Sequence, residues 1–87
     1  MNSELQKQGG YIVLSAQGMK TTKVRVETAD QASSIWWDFV RANLLGVSKL
    51  KRDSGLIYSD AGVLVARVSY NGRVWTPDGN TLLQDYA

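Results

Sequence analysis

The sequence predicts an α+β domain: a mainly antiparallel sheet of about five strands carrying one amphipathic helix on one face, in the order ββαβββ. Three observations predict it. Residues 22–28 alternate Thr22, Val24 and Val26 with Lys23, Arg25 and Glu27, which is the period of a strand with one dry and one wet face. Ala32, Ile35, Trp36, Phe39 and Val40 fall on one stripe at about 100° per residue, with Ser34, Asp38 and Arg41 opposite. Residues 56–76 hold β-branched runs broken by Asp60-Ala61-Gly62 and Asn71-Gly72, both hairpin signals.

Residues 1–10 are polar and end in a Gly pair, so they read as a flexible N-terminal arm, and 11–87 as the single α+β domain. The apolar run 11–14 is the first strand, and Gln17-Gly18-Met19-Lys20 reverses the chain into the second. The helix starts at Thr28, whose hydroxyl and the amide of Gln31 three residues on have capping-box spacing. Asp30 in the first turn complements the helix dipole, and Gly46 is the expected stop. A bend at Asp53-Ser54-Gly55 leads to the third strand, 56–59. The fourth, 63–70, is the longest β-branched run. A two-residue turn at Asn71-Gly72 then makes Tyr70 and Arg73 neighbours and starts the fifth strand, 73–76. After Pro77-Asp78-Gly79-Asn80, residues 81–86 form an edge strand or a docked tail. No internal repeat, low-complexity tract or linker is evident.

Those loop lengths set an expected register. Leu56, Tyr58, Leu64, Ala66, Val68 and Trp75 take the helix-covered face; Ile57, Val63, Val65 and Val74 share the other with Arg67, Ser69 and Thr76. One helix covers one side of a sheet, so the second face is expected to carry surplus apolar surface.

Composition excludes more function than it suggests. At 87 residues the chain has room for one core, burying about 60% of its unfolded surface. With no Cys and no His, disulfides, thiolate nucleophiles, imidazole bases and the usual zinc ligands are unavailable. Carboxylates are scattered and the serines lack a base; the expectation is a non-enzyme with no cofactor and no metal. Gly9-Gly10 and Asp53-Ser54-Gly55 match neither a P-loop nor a dinucleotide fingerprint. No apolar run approaches the roughly 20 residues of a bilayer span and no signal pattern opens the chain, so a cytoplasmic setting without membrane contact is expected.

Two surfaces are candidates for binding. Trp37 lies off the apolar stripe beside Arg41, a pairing suited to a protein contact. Either that helix edge or the second sheet face, with Val63, Val65, Arg67 and Val74, is the first candidate, a docking surface for a protein partner or a second copy in a homodimer. The bland account of Trp37 is that it edges the core or is covered by Leu82, Leu83 or Tyr86. The alternative is nucleic-acid binding. Net charge is only +2, yet seven basic residues face three acidic ones between 20 and 52. Lys23, Arg25, Lys49, Lys51 and Arg52 from that stretch could follow a phosphate backbone. Single-strand binding also needs aromatic rings interleaved with those cations; Tyr11, Tyr58 and Tyr70 are the candidates, provided they turn away from the helix.

A strand pair, one helix, and then the run Gly62-Val-Leu-Val-Ala-Arg-Val-Ser-Tyr-Asn-Gly-Arg-Val-Trp75 resemble, in outline, the single-helix α+β proteins of phages and mobile elements, some anti-CRISPR proteins among them. The resemblance implies an accessory or inhibitor protein that occupies a partner's surface without chemistry. It implies no site residue.

Overall fold

The computed structural model describes residues 5, 8–43 and 49–84. Its elements are β1 (Gly10–Leu14), β2 (Thr22–Val26), α1 (Ala29–Ala42), β3 (Leu56–Tyr58), β4 (Leu64–Val68), β5 (Val74–Trp75) and β6 (Leu82–Gln84). The strands form one antiparallel sheet in the order β2-β1-β3-β4-β5-β6. The α+β expectation holds, with one strand more than the ββαβββ reading because 82–84 pairs as an edge strand. β3 to β6 run as a meander, while β1 is inserted between its hairpin partner β2 and β3.

The helix begins where its cap predicts. Gln31 N–H donates to the Thr28 hydroxyl at 3.1 Å, and the Gln31 side-chain oxygen accepts from Glu27 N–H at 2.7 Å. The reciprocal bond thus reaches one residue beyond the capping-box expectation. At the other end Asn43 closes the last turn, its side-chain amide donating to the Phe39 carbonyl at 2.9 Å. The expected stop at Gly46 lies outside the described residues.

One face of the sheet receives α1. Trp36, Ala32, Ala29 and Val40 pack on Ile12, Leu14, Val26, Ile57, Ala66, Val68 and Val74, with Ile35 and Phe39 half-buried at the margin. Polar groups are answered inside this layer: the Trp36 indole N–H donates to Tyr70 O at 3.0 Å and the Ser33 hydroxyl to Gly72 O at 2.8 Å. Each satisfies a group that burial would otherwise leave costly. Leu5 is also fully buried in this cluster, and its carbonyl accepts from Gly9 N–H at 2.7 Å. A loose arm over 1–10 is therefore corrected at Leu5 and at Gly10, which opens β1; 1–4, 6 and 7 lie outside the described residues.

The register of the meander differs from expectation, and two local causes explain it. Ser69 N–H bonds Arg73 O at 2.9 Å and Gly72 N–H bonds Ser69 O at 2.9 Å, so the β4–β5 loop has three residues rather than two. Gly72, at φ 88°, supplies the left-handed residue that such a loop requires. Val68 then pairs with Val74 and Arg67 with Trp75, and the one-residue slip sends Val74 to the helix and Trp75 away from it. In β3–β4 the expected Tyr58–Leu64 pair forms, but the register shifts before Ile57–Ala66 and leaves Val65 as the extra residue of a bulge. Ile57 therefore joins the core, and Leu56 and Tyr58 turn to the other face.

Candidate functional site on the open sheet face

Alternation along each strand places a second set of side chains opposite the core residues. Lys23 and Arg25 flank Val24 on β2, Tyr11 and Val13 flank Ile12 on β1, and Leu56 and Tyr58 flank Ile57 on β3. On β4 and β5, Arg67 and Trp75 take the same side. Direct cross-strand pairing arranges them in rows: Arg25, Tyr11 and Tyr58 across β2-β1-β3, then Leu56, Arg67 and Trp75 across β3-β4-β5. Among the described residues no helix or strand lies over these rows. Tyr11 is 38% exposed, while Tyr58, Leu56 and Trp75 are half-buried.

Arg25 is the fixed member of the group. Its guanidinium sits over the Tyr11 ring, 5.2 Å from the centroid. It also pairs with Glu27 at 3.1 Å and Asp60 at 2.8 Å, and donates to Gln8 O at 3.1 Å. The Glu27 hydrogen bond first, with Tyr11 and Asp60 adding to it, raises its pKa further above an already high value. Lys23 and Arg67 have no carboxylate partner among the described residues. Beside this cluster the surface sinks into an open depression of about 760 Å³, lined by Tyr11, Lys23, Tyr58, Ser59, Asp60 and Gly62.

The remaining cations of the predicted set lie at the far end of β1. Gln17 N–H bonds Lys49 O at 2.8 Å, Lys51 N–H bonds Ser15 O at 3.2 Å, and Ala16 and Leu50 form an isolated bridge. Lys49, Lys51 and Arg52 are exposed there, beyond Val13, the cross-strand partner of Lys23.

The sheet-face version of the first candidate loses two of its four residues. Val74 is fully buried and Val65 is 2% exposed, both within the core cluster. The three-residue loop and the bulge account for this correction. Val63, 60% exposed in the β3–β4 loop, and Arg67 on the open face remain available. Trp37 is half-buried and rests on the backbone of Gly72, where any Cβ would collide with its indole. Arg41 stands over its ring at 5.7 Å, so the pair caps the β4–β5 loop at the helix edge, apart from the open sheet face. Leu56 and Trp75, missed as open-face residues, were hidden by register and not by composition.

Comparison of the chain with known protein families, curated proteins and solved structures returns no match. Among the described residues no group of His, Cys, Asp or Glu could hold a metal ion, and no helix is long and apolar enough to cross a membrane.

Proposed function

We propose that this protein is a non-enzymatic binding module that takes single-stranded nucleic acid on the open face of its sheet. One observation carries the reading: Tyr11 and Tyr58 are direct cross-strand partners on the uncovered side, with Arg25 beside Tyr11 in the same row and Lys23 and Arg67 opposite Val13 and Leu56 on the same side. That is the aromatic condition which cations alone do not meet. Aromatic rings on an antiparallel sheet stack bases of any sequence, and neighbouring cations track the phosphates. The aliphatic surplus that pointed to a protein partner is reduced, because Ile57, Val65 and Val74 lie in the core.

A net charge of +2 makes the affinity modest, about micromolar or weaker at low salt. Fluorescence anisotropy with a labelled oligothymidine strand across a salt series tests the proposal. With two or three phosphates neutralised, the slope of log K against log salt is about −1.4 to −2.1. Lys23→Gln and Arg67→Gln each make it shallower. Absence of binding at low salt rejects the reading and returns weight to a protein-docking module at Trp37 and Arg41, for which the 5.7 Å cation–π pair is the supporting contact.

A further inference from the structure

Resting on that single-strand reading, we propose that the depression lined by Tyr11, Tyr58 and Asp60 is a base subsite that prefers guanine. The starting point is a charge out of place. Phosphate binding favours cations, yet the rim of the depression carries the carboxylate of Asp60. Its Oδ1 accepts from Arg25 Nη1 at 2.8 Å. A carboxylate offers about four lone-pair sites, so Oδ2 and the rest of Oδ1 stay available to a ligand.

Beside a phosphate this group repels; beside a base edge rich in N–H donors it attracts. The Watson–Crick edge of guanine presents two adjacent donors, N1–H and the N2 amino group, matching the two carboxylate oxygens. Cytosine and adenine present one exocyclic amine next to a ring acceptor. Thymine and uracil present one N–H between two carbonyls, which face a carboxylate badly. Tyr58 supplies the half-exposed ring for the base face. Lys23, on the lining of the same depression and without a carboxylate partner among the described residues, receives the nucleotide's phosphate. Gly62, which also lines the depression, adds no side chain to the rim beside Asp60. The volume of about 760 Å³ falls within the usual range of small-ligand clefts.

The test compares two labelled eight-nucleotide strands on the full chain at low salt: oligothymidine, and the same strand with one central guanosine. The subsite predicts about fivefold or tighter binding of the guanosine strand, the lower end expected for a good bidentate base contact. Asp60→Asn should abolish that preference while oligothymidine affinity is kept or slightly raised. Equal affinity for the two strands overturns the subsite and leaves the binding face standing, and a preference that survives Asp60→Asn overturns it as well. Failure of both strands to bind rejects the single-strand reading itself, and the subsite with it.

Discussion

The two faces of the sheet come from the same strands and spend alternate residues in opposite ways. Beneath the helix, Ile12, Leu14, Val26, Ile57, Ala66, Val68 and Val74 meet Trp36 in a dry aliphatic layer. On the other side, Arg25, Tyr11, Tyr58 and Leu64 form one row and Leu56, Arg67, Trp75 and Leu82 the next, a layer that mixes aromatic, cationic and aliphatic side chains beside an open depression. The residues that hold the fold together and those of the proposed binding face thus alternate at a spacing of one residue. A single-residue slip in the β4–β5 hairpin would exchange Val74 for Trp75 and blur both.

The sharpest way to break the difference is from the helix side. Trp36→Ala removes the largest fully buried side chain together with its hydrogen bond to Tyr70 O. It is expected to cost about 3–5 kcal/mol, a large share of the roughly 5–15 kcal/mol that holds a domain folded. Urea denaturation measures it, and a loss below about 1 kcal/mol would mean that the helix is not seated as described. Gly72→Ala comes next, at about 2 kcal/mol or more, because its φ is positive and the new Cβ meets the Trp37 indole. The lower midpoint should come with an unchanged denaturant slope.

On the open side the expected pattern reverses. Tyr58→Ala should weaken oligothymidine binding by about 1–3 kcal/mol, the usual worth of one stacked base, while moving the urea midpoint far less than Trp36→Ala. A larger loss of stability than of affinity would show Tyr58 to be a structural residue.

The smallest effect concerns the β5–β6 turn at the sheet edge. The Thr76 hydroxyl donates to Asp78 Oδ1 at 2.6 Å and Asn80 N–H donates to it at 3.0 Å. These bonds, the Thr76 bond first, hold the Asp78 carboxyl below the usual carboxylate range. A depressed folded pKa stabilises the turn above the unfolded value. The contribution falls away as acid takes the pH from about 4 down through the folded pKa. Carboxyl-resolved NMR titration should find the Asp78 midpoint below that of an aspartate in an unstructured peptide and should find the Thr76 and Asn80 signals moving with it.

Much of this fold was legible because local signals agreed with one another. The Thr28 cap, the stripe through Trp36 and the alternation of β2 each depend on residues within one turn or one strand. What sequence reading missed was register, which depends on how many residues a loop holds out of the ladder. Asn71-Gly72 suggested a two-residue turn, but Ser69 and Gly72 close a three-residue loop. The Ser59-x-x-Gly62 loop is closed in the same way, and the Thr76-x-x-Gly79 turn carries the same bond from glycine N–H to residue i. That recurrence of Ser or Thr three residues before Gly was present in the sequence and would have corrected Val74 and Trp75. The bulge at Val65 has no comparable signal. The candidate site suffered most, since Lys23 and Arg25 were readable from alternation while Leu56, Tyr58 and Trp75 were assigned to the covered side.

The three tryptophans report on the core, the helix edge and the open face in turn, and their indole N–H signals offer the most direct test of nucleic-acid binding by the open face. In a ¹⁵N-resolved titration of the full chain with oligothymidine at low salt, the Trp75 indole should shift together with the Tyr11, Lys23, Tyr58 and Arg67 amides, while Trp36 and Trp37 stay in place. Shifts centred on Trp37 and Arg41, or none at any strand concentration, would contradict the account.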